Sequence, residues 1–447
     1  MAASKPRISQ AKTNGREQRL AQGRSHRTQL SRAALGQLHP RKPGFDSLQL
    51  LLSATEGRVP ALLPVKYSRM MISPFAFFRG AVSIMAADLA REPHSGLFVQ
   101  LCGDAHVQNL GSFEGPDGRL VFDINDFDET IPGPWEWDVK RMAASVVLAG
   151  IAADHRRSAC ASAVEAFAAS YCNAIETLAE QPVLVAARHQ VHGVRKAQAV
   201  SAALQQAQRA NACDLLKKYT EKAARGRVQF KKIERAIWRL HGQRRQETLA
   251  SLPLYKESLP PERLHLFDFF RPLDVAFKVV GTGSVGLRDY VVLMEGNGAE
   301  DPLFLQIKQE VSSAYAADLK GREYPNQGQR VAEGQRRIQP VSDLLLGWTR
   351  IGEHDYLVRQ LNDHKGSVDL NNLKGEGLAS LGTVAGELLA RGHARSGDAL
   401  MIKGYIGAPE KLLKSIVRYG LDYATLTEAD FEIFKRAIEQ ERVKVAA

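Results

Sequence analysis

Val279-Val280-Gly281-Thr282-Gly283-Ser284-Val285-Gly286 is the stretch on which the reading of the fold turns. Its glycines follow the GxGxxG spacing shared by two kinds of phosphate-binding loop, and what comes next separates them. A dinucleotide-binding loop opens a helix. Here Asp289-Tyr290-Val291-Val292-Leu293-Met294 continues as an apolar strand, Gly296-Asn297-Gly298 turns it, and Phe304-Leu305-Gln306-Ile307 follows as another. With Ala276–Val280 in front, the pattern predicts a small antiparallel meander whose first turn is rich in glycine. Such a hairpin brings backbone close to phosphates and can cover a triphosphate. Lys308, 22 residues after Gly286, can reach the α- and β-phosphates as a point charge.

Two acidic stretches lie far upstream. Gly103-Asp104-Ala105-His106-Val107-Gln108-Asn109 follows the apolar strand Leu97–Leu101 and sets a carboxylate and an amide five positions apart on one loop. The carboxylate of Asp104 can take a substrate hydroxyl proton while the Asn109 oxygen holds Mg²⁺, a division of labour suited to phosphoryl transfer. A loop Asx turn accounts for the same spacing. Phe122-Asp123-Ile124-Asn125-Asp126-Phe127-Asp128-Glu129 then packs four carboxylates into seven residues at the end of the strand Leu120–Ile124. Their mutual repulsion raises a pKa unless a divalent ion or a basic partner neutralises the cluster. Asp123 and Asp126 are both candidate metal ligands.

Several residues fit the same ligand. Glu333, on a helix predicted over Arg330–Leu346, reads either as the partner that holds Lys308 extended or as a surface pair with Arg336 or Arg330. Asp138 is placed to brace the Asp104 loop from behind, and Tyr356–Leu361 to offer a backbone edge to an adenine. His106 and His393 lack metal spacing and read as structural histidines. Arg69 and Arg79 read as phosphate or substrate contacts, or as ordinary structural pairs.

Length and charge frame these motifs. A chain of 447 residues, 44% hydrophobic and 24% charged, is globular and too long for one core. It lacks an apolar run long enough to cross a bilayer and a secretory signal, which points to a cytoplasmic protein. Cys102, Cys160, Cys172 and Cys213 show no CxxC spacing, so reduced thiols are expected. Residues 1–44 carry ten Lys or Arg against one acid, hence +9 of the total +11. They read as a disordered basic tail, either solvated or in weak nonspecific contact with nucleic acid or another anionic surface. Trp137–Ala179 has the spacing of core helices, and Leu378–His393 that of another. The division that follows is 1–44 tail, 45–180 helical part with both acidic loops, 181–260 basic helical insertion, 261–365 antiparallel-sheet nucleotide unit, and 366–447 the rest of the helical part.

Arg69-Met70-x-x-Ser73-Pro74-Phe75-x-Phe77-x-Arg79-Gly80, the two acidic stretches and His393-Ala394-Arg395-Ser396-Gly397-Asp398 together resemble the bacterial family called domain of unknown function 2252, from about Val59 to Ile406. The acidic stretches also resemble the catalytic and metal loops of aminoglycoside and choline phosphotransferases, which have the protein-kinase-like fold. The resemblance implies an α+β, kinase-like, two-lobed fold with a helical insertion. It implies Asp104 as catalytic base, Asn109 and Asp126 as magnesium ligands with Asp123 the alternative, and Gly281, Gly283, Ser284 and Gly286 as the phosphate-covering loop. Lys308 becomes the phosphate lysine and Glu333 its partner. In ordinary kinases the glycine loop precedes the catalytic loop, whereas here it follows, so a circular permutation is expected. The helix Leu378–His393 would then stand in for the one that leads into the catalytic loop. The function implied is an ATP- and Mg²⁺-dependent phosphotransferase acting on a hydroxyl or amine of a small molecule or protein. Nucleotidyl transfer at the same site, or nucleotide binding without turnover, are the alternatives. Gly103-Asp104-x-His106 also suggests a metallophosphoesterase, but the further metal-spaced histidines are missing.

Overall fold

The computed structural model describes residues 15–190, 198–209, 212–223, 227–234, 236–279, 281, 283–319, 323–361 and 366–446. Helices and antiparallel sheets make up the chain, with no barrel among the described residues. The helices Trp135–Ala152, Arg157–Glu180, Gly377–Ser396 and Glu410–Glu439 share one large core. Trp135–Ala152 is buried on every side from Trp135 to Gly150, which is why its apolar residues form a continuous run rather than a stripe.

Strands β1 (Phe98–Leu101) and β4 (Ile131–Pro134) pair on this core, and β2 (Leu110–Glu114) and β3 (Leu120–Ile124) form a hairpin that β13 (Gly366–Ser367) extends. A short hairpin, β5 (Thr220–Lys222) and β6 (Val228–Phe230), stands apart from both. The largest sheet has six antiparallel strands in the order β11-β12-β10-β9-β8-β7. These are β7 (Ile237–Arg239), β8 (Arg271–Lys278), β9 (Asp289–Glu295), β10 (Pro302–Glu310), β11 (Gly347–Ile351) and β12 (His354–Gln360). The predicted meander is thus present as β8, β9 and β10.

Strand alternation sets the faces of that sheet. Val275, Phe277, Val292, Leu305 and Ile307 lie in one core with Tyr255 and Phe267. Ala276, Val291, Leu293 and Phe304 lie in another with Phe230 and Ile237. Gln306 and Lys308 share the parity of Phe304, and both face a cavity between the sheet and the helical part.

Two expectations fail here. Residues 15–44 are not a disordered tail; residues 1–14 of that call lie outside the described residues. The helix Arg16–Ser25 packs on Ala399–Ile406, and a Cβ on Gly23 would stand 2.0 Å from the Met401 carbonyl oxygen. Arg19 forks onto Asp398 at 2.8 and 2.7 Å, while Arg27 donates to the Tyr405 and Gly404 carbonyls and Arg32 to those of Ile406 and Ala408. Arg41 bridges the buried carboxylates of Asp88 and Asp430. These arginines serve helix C-terminal carbonyls and internal acids instead of an outside polyanion. Deleting residues 1–44 is therefore expected to lower the thermal unfolding midpoint, and Arg41→Ala alone to cost about 1–3 kcal/mol in denaturant unfolding by stranding two buried acceptors.

Residues 181–260 are likewise no separate helical insertion. The helix Gln198–Arg209 lies on β2 and β13, where Ser112 Oγ donates to the Ala203 carbonyl at 2.7 Å. Strand β7 joins the six-stranded sheet, and Arg239 Nε donates to both carboxylate oxygens of buried Asp274 of β8. Within this basic stretch Arg239 and Arg245 both approach Asp274 on the sheet. No helix among the described residues is long and apolar enough to cross a membrane.

Candidate functional site

The Asp104 loop is held from behind. Asp138, in the first turn of Trp135–Ala152, accepts from the backbone N–H of Cys102 at 2.8 Å and of Gly103 at 3.0 Å. His393 Nε2 lies 3.3 Å from the same carboxylate, and its Nδ1 is 2.8 Å from the Tyr171 hydroxyl. The brace expected of Asp138 is present, and His393 is a structural histidine. Gly103 sits at φ +85°, and a Cβ there would press to 2.3 Å from the Glu129 carbonyl oxygen, so the bend admits glycine alone. The loop is closed by Asn109 Nδ2 donating to the Asp104 carbonyl at 2.9 Å.

The Asp104 carboxylate meets Arg141, a fully buried guanidinium one turn past Asp138. Arg141 donates to Oδ1 through Nε at 2.8 Å and Nη2 at 2.5 Å. Burial alone would raise the Asp104 pKa, but the guanidinium of Arg141, with that of Arg79 farther off, outweighs it and holds the carboxyl below its usual value. Arg141 makes no bond to Oδ2. His106 Nε2 lies 3.5 Å from it, and burial pushes that imidazole down to about 3, so the ring is neutral. Its Nδ1 has no partner among the described residues.

At the end of β3 the four carboxylates go separate ways. Asp123 forms a buried ion pair with Arg391 of the helix Gly377–Ser396. Glu129 accepts from the Ala314 N–H at 2.6 Å. Asp128 bonds Lys308 Nζ through both oxygens, Oδ1 at 2.6 Å, and accepts from Ser284 Oγ at 3.0 Å. Asp126 Oδ1 is 3.8 Å from the same Nζ. Burial alone would lower the lysine's pKa, but the two carboxylates raise it, while Lys308 draws Asp128 well below the carboxylate range. Asp126 is pushed up, first by burial and then by Asp128 beside it.

A cavity of about 620 Å³ joins these groups, within the range of small-molecule sites. Of the residues singled out from sequence, Asn109, Asp126, Gly281, Ser284, Lys308 and Arg79 line it. Asp104 stands behind Asn109 and is not a lining residue, nor are Asp123, Gly283, Gly286, Glu333 or Arg69. Gly286, at φ +93°, makes the return turn of the loop, and a Cβ on Gly281 would meet open space. Val280 and Thr282 lie outside the described residues. Gln360 and Leu361 reach the cavity, but their N–H groups are bonded to Asp343 and the Phe304 carbonyl, so the adenine edge expected at Tyr356–Leu361 has no N–H to offer there.

Glu333 is not the partner of Lys308. Its carboxylate accepts from Gln329 at 2.8 Å and lies 3.6 Å from Arg337, because the lysine has turned across the cleft to Asp128. The tie from that helix comes from Arg330, three residues earlier, which donates to the carbonyls of Thr130 at 2.6 Å, Asp128 at 2.8 Å and Val311 at 2.9 Å. It fastens the acidic turn to the end of β10. A buried arginine beside a carboxylate cluster was the available signal. Arg141 and Arg391 are the other missed partners, both arginines embedded in apolar helices.

For a divalent cation the donors are Asp126, the Asn109 amide and, if Lys308 releases it, Asp128. Among the described residues no group of three or more His, Cys, Asp or Glu side chains is arranged to hold a metal. One or two carboxylates with an amide suit Mg²⁺ completed by phosphate oxygens and water rather than an all-protein cage. Neither a curated protein nor a solved structure matches the sequence. Residues 58–437, which contain both acidic loops, the glycine loop, Lys308 and the helix Gly377–Ser396, match the family described as "Uncharacterized protein conserved in bacteria (DUF2252)", and the chain belongs to it.

Proposed function

We propose that this protein is an ATP- and Mg²⁺-dependent phosphotransferase with a circularly permuted, kinase-like arrangement of its nucleotide and catalytic segments. The observation that carries the reading is the meeting of Lys308 with Asp126 and Asp128, residues about 180 positions apart, at a cavity that also takes in Asn109, Gly281 and Ser284. Permutation accounts for the reversed order. The helix Gly377–Ser396 ends against β1, where the Gln100 N–H donates to Ser396 Oγ at 3.1 Å, so its C-terminus lies where the chain enters the Asp104 loop.

In this reading Lys308 leaves Asp128 for the α- and β-phosphates, and the glycine loop covers them. Asp126 and Asn109 would hold Mg²⁺, which when bound neutralises charge on the phosphates. Asp104 Oδ2 orients the acceptor and takes its proton. Asp138 and Arg141 fix the geometry that makes this effective.

A thermal-shift titration with ATP tests the reading, since a ligand bound to the native state raises the midpoint by mass action. The expected result is a rise that requires Mg²⁺ and is lost in Asp126→Ala. Incubation with γ- and α-labelled ATP then separates the chemistries: transfer of the γ label supports phosphotransfer, and transfer of the α label replaces it with nucleotidyl transfer.

A further inference from the structure

Arg79 lines the cavity from the helix Pro74–Gly80, and its guanidinium has no hydrogen bond or ion pair among the described residues, its Nε being buried without a partner. Buried donors are rarely left so, and an unmet one in a cleft points to a ligand that supplies the acceptor. The nearby charges are acidic, Asp104 and Asp126, yet neither is within ion-pair distance. Burial presses against the charge of Arg79 and lowers its pKa, which leaves an anion as the favoured partner.

The segment that carries Arg79 is buckled to the glycine loop. Lys66 Nζ, buried, donates to the carbonyls of both Gly80 and Gly283 at 3.2 Å. Arg58 donates to the Gly283 and Val285 carbonyls at 2.7 Å each, and the Val59 N–H to that of Gly286 at 2.7 Å. The backbone of Arg79 runs directly under the loop, its carbonyl oxygen 3.6 Å from where a Cβ on Gly283 would stand. Arg79 is thus placed by the loop expected to cover the phosphates and faces the side of the cavity nearest Asp104.

We infer that Arg79 is a second phosphate cation, which binds the terminal phosphoryl group of the nucleotide between Asp126 and Asp104. The inference rests on the phosphotransferase reading and deepens it. In the transfer a bond forms from the acceptor oxygen or nitrogen to the γ-phosphorus as the bond to the bridging oxygen breaks. The electron pair leaves with ADP and the acceptor proton passes to Asp104. Arg79 forks onto the γ-phosphoryl oxygens and offsets the charge they carry, as its planar guanidinium is shaped to do.

The test compares Mg²⁺-dependent affinities for ATP and ADP in the full-length wild type, Arg79→Gln and Arg79→Lys by calorimetry. Wild type is expected to favour ATP, Arg79→Gln to bind ATP at least about tenfold more weakly with ADP changed less than about threefold, and Arg79→Lys to fall between. Because Arg79 makes no internal hydrogen bond or ion pair among the described residues and only a 5.9 Å cation–π approach to Phe75, the unliganded unfolding midpoints should differ little, which shows that the variants are folded. Equal losses for ATP and ADP, or no loss, overturn the role of Arg79 while leaving the nucleotide site intact. Failure of the wild type to bind either nucleotide overturns the phosphotransferase reading and this inference with it.

Discussion

Asp104→Asn is expected to slow phosphoryl transfer by about 10²–10⁴-fold while leaving the affinity for ATP unchanged. The asymmetry follows from position, because Asp104 stands behind Asn109 and does not line the cavity, whereas its Oδ2 is the oxygen Arg141 leaves open. The pH profile adds a signature. With its pKa held below the usual value by Arg141, Asp104 is ionised at neutral and mildly acidic pH, so wild-type turnover should show no acid limb from this group above about pH 5. Arg141→Met removes the largest opposing cation, so burial weighs more, which raises the pKa and moves an acid limb upward. The same depressed pKa stabilises the fold. That contribution is fully present above the unfolded-state value of about 3.9 and is lost as pH falls through the lower folded value. ADP formation from ATP measured between pH 5 and 8 checks the profile, and an acid limb in wild type equal to that of Arg141→Met would refute it.

Asp123→Ala should produce the largest loss of stability, about 3–5 kcal/mol in denaturant unfolding, because it strands Arg391 as a buried charge. Replacing both partners by apolar residues, Asp123→Leu with Arg391→Met, should recover most of that loss, since neither charge then has to be desolvated. The pair also separates two acids only three residues apart. Asp123→Asn should keep the Mg²⁺-dependent nucleotide response that Asp126→Ala loses. Loss of that response in Asp123→Asn with the fold intact would return Asp123 to the metal site.

What could be read in the sequence follows the range of the forces involved. Strand Leu120–Ile124, the meander around the glycine loop and the helix over Leu378–His393 rest on local alternation and periodicity, and the structure has each of them within a few residues. The Asp138 brace was also legible, because an acid in the first turn of the helix behind the Asp104 loop has few groups within reach. Partners across long separations were not. Arg19 meets Asp398 and Arg41 meets Asp430, so counting charge in residues 1–44 alone suggested a solvated arm. Asp123 meets Arg391, 268 residues on, and no local pattern announces that pair. Arg330 rather than Glu333 ties its helix to the cleft, since a guanidinium can reach three carbonyls at once and a carboxylate cannot donate to any.

The docking of Arg16–Ser25 on Ala399–Ile406 also sets a timetable for the newborn chain. Arg19 and Asp398 are 379 residues apart, and at about 5–20 residues per second the first waits roughly 20–75 s on the ribosome before the second exists. Throughout that interval the apolar underside of the opening helices, including Leu30 and Leu35, has nothing from the last fifty residues to cover it. Release of an unfinished polypeptide would leave it bare. Premature termination anywhere before Asp398 therefore yields a product whose opening segment keeps apolar surface in water.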